Sequence, residues 1–120
     1  MSEADVTKKR SSSSSEQNIL PRTLAKVRLI GVLGSAAGRR ELDLEFDRAV
    51  TVSELITALL ETINNRQFHD LLVDSGTGDP RPNVIILLNE QDCNVFDGLK
   101  TRVENGTVVT IIPVAHGGVG

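Results

Sequence analysis

Few residues of this chain have side chains of the kind that form a catalytic or metal site. There are two histidines, His69 and His116, and one cysteine, Cys93. They lie far apart in the sequence, and their spacing matches neither a metal site nor a nucleophile with its base. The neighbours of Cys93 are acidic or neutral, so they would not lower the pKa of its thiol as a reactive cysteine requires. We therefore expect no metal site and no catalytic site, and we interpret the protein as one that is not an enzyme.

A pair of glycines close to the C-terminus is the other notable chemical feature. Gly117 and Gly118 lie within "PVAHGGVG" (113–120). Because adjacent glycines support neither a helix nor a strand, residues 115–120 are predicted to form a flexible tail. His116 is interpreted as an ordinary residue of that tail. Whether the glycine pair has a role of its own depends on the domain that carries it.

Composition limits what that domain can be. Hydrophobic residues make up 39% of the chain and aromatic residues only 2%, so the core must consist mainly of Leu, Ile and Val. The net charge is -3, which favours neither nucleic acid nor an anionic membrane as a partner. The longest apolar run, "VIILL" (84–88), is too short to span a bilayer. A single cysteine fits a reducing compartment, and we predict a cytoplasmic location.

The start of the chain has the composition of a second flexible tail. The segment "KKRSSSSSEQN" (8–18) offers almost nothing to bury, so it cannot offset the entropy cost of ordering its backbone. We predict a disordered tail over 1–22, one folded domain over 23–114, and the glycine tail over 115–120.

Two segments near the start of the domain are predicted to be paired strands. "AKVRLIGV" (25–32) is rich in branched residues, and "ELDLEF" (41–46) alternates polar and apolar residues. "GSAAGRR" (34–40), between them, lacks the Gly-Lys-Ser/Thr ending of a phosphate-binding loop and is predicted to be a turn. The result would be a hairpin with one apolar face.

A helix is predicted next. From Val52 to Ile63, apolar residues recur at helical spacing along one stripe. Thr51 and Glu54 have the spacing of a capping box at its start, and Asn64 with Asn65 is predicted to end it. The apolar stripe needs a surface to cover it, and one face of the hairpin supplies that surface.

Shorter segments complete the pattern. Residues 71–73 are predicted to form a short strand and "VIILL" (84–88) a well-covered one. "FDGLKTRVENG" (96–106) has two turn signals and is predicted to be a compact loop. "TVVTIIPV" (107–114) is β-branched almost throughout and is predicted to be the last strand.

This order of elements resembles the β-grasp, ubiquitin-like proteins. The resemblance is carried by "GSAAGRRELDLEF" (34–46), "VTVSELITALLE" (50–61) and "FDGLKTRVENGTVVTIIPVAHGG" (96–118). The sequence looks most similar to the branch of the small subunit of molybdopterin synthase, the thiamine sulfur carrier, the eukaryotic ubiquitin-related modifier and the small archaeal modifier proteins. The resemblance implies an α+β fold of the ubiquitin-like β-grasp type, in which a mixed sheet of four to five strands packs on one main helix.

The resemblance also implies a chemistry for Gly117 and Gly118. A ubiquitin-activating-like enzyme would use ATP to join the diglycine carboxylate to AMP. A lysine of a target protein would then form an isopeptide bond, or a sulfur donor would form a thiocarboxylate for a sulfur-accepting enzyme. Glycine suits this end because a residue without Cβ passes through a narrow channel and leaves its carbonyl open. No cofactor would be bound permanently, since ATP is consumed by the activating enzyme.

Two residues depart from the family pattern. Sulfur-carrying relatives end on the second glycine, whereas Val119 and Gly120 follow it here. The resemblance therefore suggests a precursor that a processing protease, such as a zinc metalloprotease, cleaves between Gly118 and Val119. Such processing favours a protein modifier over a sulfur carrier for molybdopterin, thiamine or tRNA thiolation. Two other interpretations stay open: Gly120 is the reacting end, or the tail is inert and the domain is a binding module.

The remaining candidates concern contacts with other proteins. Each lysine is a candidate acceptor for a second copy of the chain: Lys8, Lys9, Lys26 and Lys100. Four apolar residues would point away from the core if strand alternation holds, and would form a docking surface: Ile30, Val32, Val108 and Ile112. A register shift of one residue would reverse that assignment. Arg39 and Arg40 either dock an acidic partner or serve solubility.

Overall fold

The computed structural model describes residues 22–114. Its elements, in chain order, are β1 (Thr23–Leu29), α1 (Val32–Ala37), β2 (Glu41–Phe46), β3 (Val50–Thr51), α2 (Val52–Thr62), α3 (Arg66–Leu72), β4 (Val84–Leu88), β5 (Gln91–Asp92), β6 (Arg102–Val103) and β7 (Val108–Pro113). Two short 3₁₀ helices, Cys93–Val95 and Gly98–Lys100, lie between β5 and β6. Both predicted tails fall outside the described residues, except for Arg22. Over the described range, none of the helices has the length and apolar character needed to cross a membrane.

Five strands form one mixed sheet in the order β2-β1-β7-β4-β5. The strand β1 pairs antiparallel with β2 and parallel with β7, and β7 pairs antiparallel with β4. The short strands β3 and β6 pair with each other in a second, two-stranded sheet. This architecture confirms the predicted ubiquitin-like β-grasp fold, and it places the last strand in the middle of the main sheet.

The core lies between one face of the sheet and the helices. Alternate residues of β1 are buried, as the pleat of a strand with one covered face requires. Four residues of α2 are buried against them: Val52, Leu55, Ile56 and Leu59. The core is aliphatic as expected, and Phe68 is its one fully buried aromatic residue among those described.

The start of α2 agrees with the sequence prediction. The backbone N–H of Glu54 donates to Oγ1 of Thr51 at 3.2 Å, and the backbone N–H of Thr51 donates to Oε1 of Glu54 at 2.9 Å. Two N–H groups that the helix leaves without partners are satisfied in this way. The helix ends at Thr62, close to the predicted Asn64 and Asn65.

The predicted turn between β1 and β2 is wrong, because α1 occupies it. β1 ends at Leu29, and Gly31 follows with a φ of 61°, a conformation that favours glycine. The chain then turns into α1, so Val32 lies in a helix and not in the first strand. Leu33 is fully buried, and this contact with the core holds a helix that its small residues alone would not favour.

The predicted strand at 71–73 is also wrong, because α3 covers residues 66–72. The backbone N–H of Phe68 donates to Oδ1 of Asn65 at 2.9 Å, so Asn65 caps α3 instead of ending α2. Phe68 and Leu72, four residues apart, are both fully buried, which fits one face of a short helix.

Candidate functional site

The C-terminal tail leaves the domain from the central strand of the main sheet. β7 has β1 on one side and β4 on the other, so both edges of its backbone are hydrogen-bonded. Val109 and Ile111 are 0% exposed. The strand that carries the tail is therefore a rigid base that local fraying does not readily loosen.

Contacts beside the end of β7 hold the chain up to the last described residue. The N–H of Val114 donates to the carbonyl oxygen of Asn83 at 2.9 Å. Asn83 is itself tied to α3, since its Nδ2 donates to the carbonyl oxygen of Asp70 at 3.2 Å. The chain is thus fixed as far as Val114, the residue before the tail. The predicted activation residues Gly117 and Gly118, the predicted cleavage point before Val119, and His116 lie outside the described residues.

The other side of the exit is formed by the turn after β1. The N–H of Ile30 donates to the carbonyl oxygen of Ile111 at 3.1 Å. A Cβ built on Gly31 would lie 3.7 Å from Cγ of Pro113. The C-terminal end of β7 therefore lies directly beside the turn that leads into α1.

A cleft of about 1110 Å³ opens at this end of the molecule. Its lining runs from the end of β1, through α1, to the start of β2, and includes Arg28, Arg39 and Arg40. Arg28 Nε lies 3.7 Å from Oε2 of Glu41, which also lines the cleft. Arg39 and Arg40 are exposed. Sequence reasoning noted these two arginines, but not that they lie beside the exit of the tail.

The four predicted docking residues are accessible to different degrees. Ile30 is 37% exposed and Val32 53%, and both line the cleft. Val108 and Ile112 are half-buried on the sheet face that points away from the core, as strand alternation predicts. Val108 and Ile112 are four residues apart on β7, which is about 13 Å along a strand. Docking by these residues stays a prediction.

Two exposed apolar residues of the same sheet face were missed by sequence reasoning: Leu24, which is 45% exposed, and Ile85. Ile85 is 40% exposed and lies opposite Ile112 in the β4–β7 pair. The run "VIILL" was predicted to be a well-covered strand, whereas its burial alternates. Ile85 lies between the buried Val84 and Ile86 and so points to the opposite face of the strand. Sequence reasoning did not find it because every residue of the run is apolar, so no polar residue marks the exposed face.

The two described lysines have different surroundings. Lys26 Nζ lies 3.4 Å from Oδ1 of Asp43 and 3.8 Å from Oε1 of Glu41. Lys100 is exposed in the 3₁₀ helix Gly98–Lys100. Lys8 and Lys9 lie outside the described residues. Their role as acceptors stays a prediction.

Cys93 and the one described histidine, His69, both lie in structural surroundings. Cys93 is 2% exposed, and burial, followed by the charge of Asp92, raises the pKa of its thiol. Nε2 of His69 lies 2.9 Å from the carbonyl oxygen of Leu60, which is a structural contact between α3 and α2. Among residues 22–114, no group of three or more potential metal ligands is present.

Comparisons with known proteins agree with this geometry. The model of the ThiS family matches residues 27–118. A protein of Archaeoglobus fulgidus described as a candidate sulfur carrier is 35% identical over 77 residues, which cover 63% of this chain and 84% of that protein. The ubiquitin-related modifier 1 of Schizosaccharomyces pombe is 28% identical over 96 residues, which cover 78% of this chain and 97% of that protein.

A solved structure extends the likeness to three dimensions. The solution structure of the small archaeal modifier protein 1 from Methanosarcina acetivorans superposes with a TM-score of 0.68 at 22% identity. The superposition covers 82% of this chain and 99% of that one, and it shows a shared fold. Since the family match runs from β1 to the second glycine of the tail, the chain belongs to the ThiS family.

Proposed function

We propose that this protein is a ubiquitin-like modifier that is made as a precursor, trimmed after Gly118, adenylated there and conjugated to lysines of other proteins. One observation carries the proposal. The family match ends at Gly118 and leaves Val119 and Gly120 beyond it. The residue that the family pattern uses as its end is therefore the second glycine, on a tail that a buried central strand carries.

The chemistry proceeds in two balanced steps. An oxygen of the Gly118 carboxylate attacks the α-phosphorus of ATP and displaces pyrophosphate, which leaves an acyl-adenylate. The nitrogen of a lysine side chain then attacks the Gly118 carbonyl carbon, AMP leaves, and the nitrogen loses a proton to give the isopeptide bond. The activating enzyme supplies the groups that stabilise both steps.

The contribution of this chain is position. Val114 follows β7 directly and is held by Asn83, and Gly118 is the fourth residue after it. Since an extended chain spans at most about 3.5 Å per residue, the Gly118 carbonyl lies within about 14 Å of Val114. A fixed base and a short tail that ends on two glycines place the reacting carbonyl inside a partner's active site at a low entropy cost.

A sulfur carrier is the second candidate, and the 35% identical relative from Archaeoglobus fulgidus favours it. On this alternative, a hydrosulfide ion (HS⁻) attacks the carbonyl carbon of the same acyl-adenylate, AMP leaves, and loss of a proton leaves Gly118 as a thiocarboxylate. The two roles share every step up to the adenylate, so one protein can serve both.

Intact mass of the protein from its native cells tests these proposals. Loss of Val119 and Gly120 is expected for a trimmed precursor. Replacement of one oxygen by sulfur at the new end marks the carrier role, and a diglycine remnant on lysines of other proteins marks the modifier role. A full-length mass under all growth conditions, with no remnant, would contradict both.

A pair of glycine variants identifies the reacting end. In cells with the processing and activating enzymes, Gly118→Val is expected to abolish adducts, because its side chain blocks the channel that admits the tail. Gly120→Val is the matched control and is expected to leave adducts unchanged, because that residue is removed. The reverse pattern would assign the reaction to Gly120.

A further inference from the structure

This inference rests on the proposed function and concerns the enzyme that adenylates Gly118. Because the Gly118 carbonyl lies within about 14 Å of Val114, that enzyme must cover the end of the sheet where β7 stops. The cleft bounded by β1, α1 and β2 lies at this same end, since Gly31 lines the cleft and lies beside Pro113. The cleft is therefore within the footprint of any enzyme that takes the tail.

The charges of the cleft are unbalanced. Three arginines line it, Arg28, Arg39 and Arg40, against one carboxylate, Glu41. Arg28 shares Glu41 with Lys26. Over residues 22–114, neither Arg39 nor Arg40 has a carboxylate within ion-pair distance. Within this part of the chain, two guanidinium groups have no carboxylate partner, next to the point where the tail leaves.

The shape of the cleft admits a partner's side chains. Gly31, Gly34, Ser35 and Gly38 contribute walls with little or no side chain. Ile30 and Val32 add exposed apolar surface beside the arginines. A mixed site of this kind, with apolar surface beside charged donors, is typical of a specific protein contact.

We propose that this cleft binds acidic side chains that flank the tail entrance of the activating enzyme. Arg39 and Arg40 pair with those Asp or Glu carboxylates through forked, charge-assisted hydrogen bonds. The apolar residues Ile30 and Val32 exclude water around the pairs. Opposite charges also speed the encounter of the two proteins at low salt.

Two other occupants fit the structure less well. The acidic face of β2 on a second copy would offer Glu41, Asp43 and Glu45, but these already pair with basic residues on β1 or directly before it. The chain's own C-terminal carboxylate could also bind the arginines of the cleft, but it would then be unable to react with ATP. Carboxylates on the surface of the enzyme avoid both problems, because they are not already paired within this chain and they leave the tail free to react.

The test uses protein that ends at Gly118 together with the activating enzyme from the same genome. ATP–pyrophosphate exchange is measured against the concentration of the carrier for the wild type and for Arg39→Glu/Arg40→Glu. The double variant is expected to raise KM at least tenfold with kcat nearly unchanged, because it weakens docking and not the chemistry. The wild-type KM is expected to rise with salt, and that of the variant to respond less.

A matched control reverses the same amount of charge elsewhere. Lys100→Glu/Arg102→Glu changes two exposed cations that do not line the cleft, and its KM is expected to stay within twofold of wild type. Far-UV circular dichroism and urea unfolding establish that both double variants fold.

The remaining outcomes distinguish a failure of this inference from a failure of the proposed function. An unchanged KM for Arg39→Glu/Arg40→Glu would overturn this inference while the proposed function stands. A lower KM would show that the cleft holds the chain's own tail, and a wild-type dimer that the variant loses would show a second copy; either result overturns the inference. If wild-type protein gives no exchange, or Gly118→Val exchanges equally well, the proposed function fails, and the occupant proposed for the cleft fails with it.

Discussion

A Cβ built on Gly34 would lie 2.9 Å from the carbonyl oxygen of Leu29, so α1 packs on the end of β1 at a distance that only glycine permits. Gly34→Ala forces the two elements apart, at a cost of about 1–3 kcal/mol for overpacking. Removing a helical glycine returns at most about 1 kcal/mol. We expect a net loss of about 1 kcal/mol in the free energy of unfolding. Urea unfolding followed by far-UV circular dichroism measures it, since the chain has no Trp or Tyr.

Ser35→Ala is the control for this substitution. Ser35 is exposed in the same helix, so its change in stability is expected to stay within about 0.5 kcal/mol. Equal stability of Gly34→Ala and the wild type would show that α1 and β1 are not in this close contact.

The buried aromatic residue gives a second prediction, with an internal control. Phe68 is 0% exposed and Phe96 is 51% exposed. Phe68→Ala is expected to lower the free energy of unfolding by about 3–5 kcal/mol, since it leaves a cavity between α3 and the core. Phe96→Ala is expected to change it by less than about 0.5 kcal/mol. If Phe68→Ala does not fold, Phe68→Leu keeps the comparison measurable, and equal effects at both positions would contradict the assigned burial.

Sequence patterns predicted the elements whose burial is periodic over a long segment. The alternation in 41–46 and the stripe along α2 are strong because each extends over several contacts with the core. The two missed helices have six and seven residues, too few for a period to be distinguished. α1 forms because Leu33 is buried, and α3 because Phe68 and Leu72 are. Both helices are stabilised by tertiary contacts, which the helix propensity of their residues does not predict.

The candidate site was predictable only in part, for a similar reason. Gly117 and Gly118 are recognisable from local sequence because their lack of side chains is itself the signal. Arg39 and Arg40 carry no such signal, since arginines on a surface usually serve solubility. Their meaning depends on the parallel pairing of β1 with β7, which brings the turn after Leu29 beside the end of the last strand. That pairing joins residues about 80 positions apart, beyond the reach of any local pattern.

A third prediction concerns the loop that precedes β4. Nε and Nη2 of Arg81 donate to the carboxylate of Asp79 at 3.0 and 2.6 Å. These bonds, with a further one from the Arg81 backbone, lower the pKa of Asp79 from 3.8 to about 2. Because the folded-state pKa is the lower one, the pair stabilises the fold above about pH 4 and loses that effect as the pH falls toward 2.

Carboxyl NMR titration checks this prediction directly. The Asp79 carboxyl carbon is expected to titrate with a midpoint near 2 in the wild type, and Arg81→Ala is expected to return the midpoint toward 3.8. Lys26→Ala is the matched control, because it removes a cation that pairs with Asp43 and not with Asp79, and it should leave the Asp79 midpoint unchanged. A wild-type midpoint near 3.8 would mean that the Arg81 contact does not persist in solution.

The thiol of Cys93 gives the last prediction. It is 2% exposed, and burial followed by the charge of Asp92 raises its pKa. Since only the thiolate is nucleophilic, native protein at pH 8 is expected to react with a disulfide reagent at least a hundredfold more slowly than the urea-unfolded chain. Both states should end at one thiol per chain, which is the internal control for the amount of reagent.

The Gly34→Ala variant shows how the thiol becomes accessible. Because it loosens the packing of α1, it should speed the labelling of native protein if access requires global unfolding, and should leave the rate unchanged if Cys93 opens locally. Labelling of the native wild type as fast as the unfolded chain would contradict a buried, protonated thiol, and would reopen the interpretation of Cys93 as a reactive group.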